Sequence, residues 1–278
     1  MPGQNNMTKP FLKWAGNKFR IIETIRTMLP QGSRLVEPFA GSGAVFLNTD
    51  YERYLLADSN ADLISLFTIV RDQGDTFFAQ CEKLFRPATN QEAYYYRRRE
   101  EFNRCKNPER KAALFVYLNR HGYNGLCRYN AGGGFNVPFG RYKKPYFPAR
   151  ELQAFHERAQ RAQFMHLDFV QVFAMLSAGD VVYCDPPYVP LSKSASFTSY
   201  SAGGFDLLQQ SHLAQLAQVA KLQGVSVLIS NHNTRFTRDA YQGADNIKRL
   251  QVKRLISCQG QKRHDAAELL ALFETRVA

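Results

Sequence analysis

The chain has 278 residues, 45% of them hydrophobic, enough for one large domain or one domain carrying an inserted lobe. Lysine and arginine number 36 against 24 aspartates and glutamates, and the net charge of +12 points to a polyanionic partner, most simply nucleic acid. Five scattered cysteines (Cys81, Cys105, Cys127, Cys184, Cys258) and six unclustered histidines argue against a disulfide framework and a structural metal, and no apolar run approaches the ~20 residues that span a bilayer.

Met1 to Lys9 is polar, lacks an apolar signal core and reads as a disordered leader. A cytoplasmic protein with reduced thiols is expected. Phe11-Leu12-Lys13-Trp14-Ala15-Gly16-Asn17-Lys18 holds the single Trp between two lysines. It is either an N-terminal helix on a sheet or a lid over a small ligand carrying a carboxylate, with Lys18 as counter-charge. Arg34 to Pro38 reads as a strand, Phe39-Ala40-Gly41-Ser42-Gly43 as a glycine-rich loop, and Ala44 to Leu47 as the opening of a helix. Tyr54 to Ala57 is a second strand ending at Asp58. A helix near Asp62 to Arg71 follows, with Leu63, Leu66, Phe67 and Val70 at helical spacing. This order begins a doubly wound α/β domain. Glycines after the first strand let backbone approach a nucleotide-like cofactor, or simply make a tight turn. Neither GxGxxG nor GKS/T is present, so a dinucleotide fingerprint and a P-loop are both unsupported. Asp58 has two readings, a ribose diol partner or a cap of the next helix.

From about Asp75 to Arg150 the character changes. Tyr94-Tyr95-Tyr96-Arg97-Arg98-Arg99 is aromatic then basic, Ala112 to Asn119 is apolar and helix-like, and His121 to Tyr146 is a long loop rich in Gly, Tyr, Asn, Arg and Lys. The block reads as an inserted, mainly helical lobe with an exposed loop or hairpin. The α/β pattern then resumes. Gln163 to Leu167 is strand-like, ending near Asp168, and Val181 to Cys184 is a buried strand. Gln209 to Leu222 is an amphipathic helix, and Val225 to Ser230 is a strand ending in Asn231-His232-Asn233. Ile247 to Leu255 and Glu268 to Phe273 are expected to pair antiparallel at a sheet edge.

Asp185-Pro186-Pro187-Tyr188 follows the strand Val181-Val182-Tyr183-Cys184. Asp185 and the Pro186 carbonyl are two acceptors suited to an amino group. The prolines remove backbone donors and stiffen the turn. Tyr188 offers a flat face. Together they suit a planar base with an exocyclic NH2, against the plainer reading of a Pro-containing turn after a core strand.

Taken in order, Phe11–Lys18, Phe39–Gly43, Asp58, the 75–150 block, Asp185–Tyr188 and Ser230–His232 resemble S-adenosylmethionine-dependent amino-methyltransferases acting on DNA. The resemblance is greatest to the Dam-type adenine-N6 methyltransferases. The stretch Asn119 to Tyr146 is similar to that family's recognition loop. Asn17 replaces the family's usual second Gly of the first segment, and the loop tip Ala131-Gly132-Gly133-Gly134 is unusually glycine-rich. The resemblance implies an α/β fold, a Rossmann-like methyltransferase sheet, mostly parallel with an antiparallel edge hairpin. Residues 1–74 and 151–278 would form the S-adenosylmethionine-binding catalytic domain, and 75–150 the inserted target-recognition domain. It implies S-adenosyl-L-methionine as cofactor, held by Trp14, Lys18, Glu37, Pro38, Phe39, Ala40, Gly41, Ser42, Gly43, Asp58, Asp168 and Asp185. Catalysis falls to Asp185, Pro186, Pro187 and Tyr188. Lys13, Arg99, Tyr123, Asn124, Leu126, Arg128, Asn130, Pro138, Arg141 and Tyr142 are expected to face DNA. The implied reaction is transfer to adenine N6 in double-stranded DNA, within GATC, by base flipping, from a monomeric enzyme without metal. Cytosine-N4 methylation would use the same turn, and a DNA-binding relic of the fold would need none of it. The motif order favours adenine, and the intact turn speaks against a relic.

Overall fold

The computed structural model describes residues 7–189, 205–253 and 265–275. The first six residues of the expected leader, positions 254–255 of the expected last strand pair and Cys258 lie outside them. In chain order the first elements are α1 (Ile22–Met28), β1 (Arg34–Glu37), β2 (Arg53–Asp58), α2 (Ala61–Gln73), α3 (Asp75–Glu82) and α4 (Glu92–Arg104). Then come α5 (Pro108–His121), α6 (Ala149–Ala159), β3 (Ala162–His166), α7 (Phe169–Phe173) and β4 (Asp180–Cys184). The last are α8 (Leu207–Leu222), β5 (Ser226–His232), α9 (Arg235–Ala240), β6 (Asn246–Lys253) and β7 (Asp265–Phe273). Six of the strands form a sheet in the order β2-β1-β4-β5-β7-β6.

The chain divides into two compact units, one of residues 1–22, 41–50 and 60–166, the other of 23–40, 51–59 and 167–278. In the second unit β2, β1, β4 and β5 run parallel, β7 runs antiparallel to β5, and β6 antiparallel to β7. This is the expected Rossmann-like sheet with an antiparallel hairpin at its edge. All five residues of β4 and the first six of β5 are buried. Parallel strands covered on both faces read as continuous apolar runs, which is why Val181 to Cys184 shows no alternation. Arg34 lies opposite Asp180 in the β1–β4 ladder and grips its buried carboxylate with two hydrogen bonds, at 2.9 and 2.5 Å. At the other end of the same strands, β1, β2 and β4 deliver Glu37, Asp58 and Asp185. Strand order reverses between β1 and β4, and ligands of open α/β sheets bind at the carboxyl ends beside such a reversal.

In the first unit α5 is the central helix. Asn107 caps it by accepting from Arg110 N at 2.8 Å, Pro108 opens it, and every residue from Ala112 to His121 is buried. It packs against α2, α3 and α4. A ring cluster of Phe11, Phe46, Phe67 and Phe155 anchors the N-terminal segment, with Phe11 and Phe155 at 5.1 Å. The helix expected to open at Ala44 is only a 3-10 turn, Phe46–Asn48. The side chains of Asn48 and Thr49 take the Ala44 and Val45 carbonyls, at 2.8 and 2.9 Å, which a continuing helix would give to backbone N–H groups.

Candidate functional site

The carboxyl edge of the second unit gathers three acidic strand ends. Glu37 ends β1 and is buried, 2% exposed; Asp58 ends β2; Asp185 follows β4 and is half-buried. Asp58 is not the cap of the next helix: Asn60 is, its side chain accepting from Leu63 N at 3.1 Å. Pro38 and Ala40 are buried, and Ala40 N donates to the Ala57 carbonyl at 2.9 Å, tying the loop after β1 to β2. Phe39 stacks on Phe169 at 5.6 Å and meets the edge of Phe205 at 5.4 Å. Asp168 is exposed and caps α7, accepting from Gln171 N at 2.9 Å.

Asp185 is braced from β5. Ser230 Oγ lies 3.1 Å from Asp185 Oδ1 and 3.1 Å from the Tyr183 hydroxyl that donates to it. Pro186 is buried and Pro187 exposed. Tyr188 OH donates to Glu268 Oε2 at 3.1 Å, and its ring meets His232 edge-on at 4.7 Å. His232 Nδ1 lies 2.7 Å from the Val189 carbonyl, a structural role. Burial, then Asp185, pushes the Tyr183 and Tyr188 phenols and the Cys184 thiol well above their ordinary values. Cys184 is therefore an inert core thiol. Glu268, Gln210 and Tyr241 are contributors that motif reading passed over, while Asn231 lies inside the Ser230–His232 segment singled out above. One signal did exist: Gln210 is a polar residue on the helical stripe of Leu213, Ala217 and Ala220.

In the first unit the segment 11–17 is not helical. Phe11 and Leu12 are buried, and a single 3-10 turn runs over Lys18–Ile21. Trp14 lies on the glycine loop: Gly41 has φ +49°, and a Cβ there would come within 2.9 Å of the indole Nε1. Gly43 also has positive φ, Ser42 is buried, and Lys18 Nζ, 6% exposed, donates to the Gly16 carbonyl at 2.5 Å. Asn119 holds the backbone of Lys13 on both sides, accepting from its N and donating to its carbonyl, each at 2.8 Å. Lys13 Nζ donates to the Arg120 carbonyl at 3.2 Å and sits 3.7 Å from the centre of the Tyr142 ring. Burial, then the charge of Arg120, pulls its pKa down to about 8.

Residues 122 to 139 form a hairpin-like loop closed by bridges between Gly122 and Phe139 and between Tyr129 and Phe135. Tyr123 is exposed at its base, its N donating to the Pro138 carbonyl at 2.9 Å; Asn124 has φ +53°. Leu126 is half-buried and Pro138 exposed. Arg128 is exposed, its Nε on Asn136 Oδ1 at 2.8 Å, so the opposite arm of the loop aims its guanidinium. Asn130 shapes the glycine-rich tip, its Oδ1 accepting from Gly134 N at 2.9 Å. Arg141 is exposed, φ +52°, with its guanidinium 3.5 Å from Glu92. Arg99 braces the loop through the Val137 carbonyl at 3.1 Å and lies over Tyr96. Lys13, Tyr123, Asn124, Arg128, Pro138 and Tyr142 thus belong to one connected neighbourhood, with Arg99 behind it. Among the described residues no group of three or more His, Cys, Asp or Glu is placed to hold a metal ion. No described helix is long and apolar enough to cross a membrane.

A doubly wound sheet with an Asp-Pro-Pro-Tyr turn at its carboxyl edge defines the class. The family model for D12 class N6 adenine-specific DNA methyltransferases matches residues 14–256. The DNA adenine methylase of Salmonella typhi is 52% identical over 270 residues, 97% of each chain. That of Escherichia coli strain K12 is 52% identical over 269 residues, 97% of this chain and 96% of its own. Among solved structures, a human methyltransferase 10 domain containing protein overlaps 94% of this chain and 81% of its own, at 9% identity and a TM-score of 0.41. The chain belongs to the D12 class of N6 adenine-specific DNA methyltransferases. Its activity is methyl transfer to adenine N6 in DNA.

Proposed function

We propose that Asp185, Pro186, Pro187 and Tyr188 carry this reaction on an adenine flipped out of double-stranded DNA, within GATC, with S-adenosyl-L-methionine as methyl donor. The observation that carries the reading is the Asp185 turn, braced by Ser230 and Glu268 at the sheet edge that also presents Glu37 and Asp58. The adenine amine is a poor nucleophile because its lone pair is delocalised into the ring. Asp185 and the Pro186 carbonyl accept its two N–H groups and draw the nitrogen toward a pyramidal form. Acceptors aimed at developing positive charge stabilise the transition state, and fixed orientation adds to this. Tyr188 stacks on the base. A base inside a duplex is out of reach, so it is extruded.

The residues present fit S-adenosylmethionine. Glu37 and Asp58 end adjacent parallel strands, and a strand-end carboxylate suits a ribose diol. Phe39 supplies a flat ring, and Gly41 and Gly43 let backbone approach closely. Trp14 and Lys18 suit the lid and carboxylate counter-charge, with Pro38, Ala40 and Ser42 shaping the loop; Asp168 is the outlying member. When bound, the cofactor supplies an electrophilic methyl group on a sulfonium. The 75–150 block serves target recognition. Arg128 reads guanine in the major groove, Tyr123 fills the space of the flipped base, and Asn124 holds the opened pair. Lys13, Leu126, Asn130, Pro138, Arg141, Tyr142 and Arg99 complete the DNA-facing set. The enzyme is read as a cytoplasmic monomer.

The test is methyl transfer to two matched duplexes, one with GATC and one with that adenine already N6-methylated on both strands, read as nucleosides by mass spectrometry. N6-methyladenine arises from the first alone, and Asp185→Ala yields none while binding DNA within about twofold. Full activity of Asp185→Ala overturns the catalytic assignment; methylation only outside GATC in randomised DNA overturns the sequence assignment.

A further inference from the structure

Two consecutive prolines deprive the Asp185–Tyr188 turn of two backbone donors, so fewer of its own N–H groups can hold its shape. Side chains from outside the turn anchor it. On one side of Tyr188, Gln210 Nε2 donates to the Pro187 carbonyl at 2.6 Å. On the other, Val189 N donates to Asn231 Oδ1 at 3.1 Å. The two anchors are joined: Asn231 Nδ2 donates to Gln210 Oε1 at 2.9 Å and to Tyr241 OH at 3.0 Å. Asn231 Oδ1 also accepts from His232 N at 2.9 Å, so both donors and both lone pairs of this amide are used.

All three side chains are removed from water, with Gln210 1%, Asn231 0% and Tyr241 1% exposed. A buried network whose members bond one another resists displacement, because breaking a bond strands a polar group in a low-dielectric interior. Gln210 otherwise occupies the core-facing stripe of α8, where burying a polar side chain is unfavourable unless it is bonded. The turn explains its presence there.

We propose that Gln210, through Asn231 and Tyr241, is a positioning residue for methyl transfer: it fixes the backbone on both sides of Tyr188 and thereby the two acceptors of the turn. The inference rests on the reading that this turn carries the reaction. Displacing a reacting group by about 1 Å costs on the order of 100-fold in rate, so a loosened turn reports in the chemical step.

The experiment measures single-turnover methylation at saturating S-adenosylmethionine and GATC duplex, with DNA and cofactor affinities and a thermal melt. Gln210→Met keeps the volume and loses the donor. Its single-turnover rate falls about tenfold or more while both affinities stay within about twofold. Tyr241→Phe keeps the ring on Phe273 and removes only the far acceptor, and it slows the step about threefold. A purely structural role would lower the melting temperature and leave the rate below it unchanged. A wild-type rate in Gln210→Met, or a loss confined to affinity, overturns the proposal. Should Gln210→Met fail to fold, a wild-type rate in Tyr241→Phe overturns it instead. Asp185→Ala, run alongside, separates the two readings. If it is inactive while both network variants are fast, the positioning role alone falls; if it is active, the catalytic reading of the turn falls with it.

Discussion

His121 ends α5 with 1% of its surface exposed, its ring stacked on Tyr117 at 4.0 Å and Nδ1 2.9 Å from the Tyr117 carbonyl. Burial drives its pKa down to about 4; the Tyr117 carbonyl opposes this, and the charges of Lys13 and Arg120 add to it. Between pH 6.5 and 4 the unfolded chain therefore binds a proton that the folded chain does not. Stability is retained above that window and lost as pH falls through it, by on the order of 3 kcal/mol at its foot. Denaturant melts from pH 7 to 4 check this, with His121→Gln expected to flatten the fall; parallel profiles for the two proteins would refute it. The same burial logic makes Cys184 a poor nucleophile beside Asp185. That suits chemistry on an exocyclic amine, where the base itself attacks.

The loop from Gly122 to Tyr142 holds its shape because other elements hold its backbone. Asn103 of α4 bonds Phe135 on both sides, accepting from its N at 2.8 Å and donating to its carbonyl at 3.2 Å. Tyr95 OH reaches the Val137 carbonyl at 3.0 Å. From α2, Asp62 accepts from Tyr129 OH at 2.8 Å and pairs with Lys111 at 2.6 Å. Tyr129→Phe removes one hydrogen bond and costs about 1 kcal/mol of stability. If Arg128 reads the target within GATC as proposed, its neighbour's loss shows as a three- to tenfold loss of discrimination between GATC and single-base variants, with cofactor affinity unchanged. Competition binding on the two duplexes measures it, and unaltered discrimination would remove Asp62 from target reading. The sequence showed that a loop of this composition existed and where it lay. It did not show these clamps, because Asn103, Asp62 and Tyr95 look like ordinary helix-surface or core residues until the chain is folded.

The net charge of +12 belongs to the molecule as a whole. If the basic lobe meets phosphates, DNA affinity falls steeply with salt, by on the order of 100-fold between 50 and 200 mM for about four contacts. A fluorescence-anisotropy titration at several ionic strengths would show the slope, and a flat response would separate that charge from the DNA interface. The class of sheet is legible at the same scale. The sequence of strand, glycine loop, strand and acidic end anticipates a doubly wound sheet, and the late strand pair anticipates its antiparallel edge.

By itself the sequence determined the class of fold and singled out the segments proposed to carry the chemistry. Asp185 to Tyr188 and Phe39 to Gly43 are contiguous, so local chemistry and the apolar strands before them suffice to single them out. Only the tertiary structure decided what holds the first of these in place. Tyr188 meets Glu268 from 80 residues away, Ser230 reaches Asp185 across 45, and Gln210 reaches Pro187 across 23. The first two pairings depend on the registers of β4 with β5 and of β5 with β7, and the third on the packing of α8. A register is a property of packed strands, and no spacing within one segment encodes it.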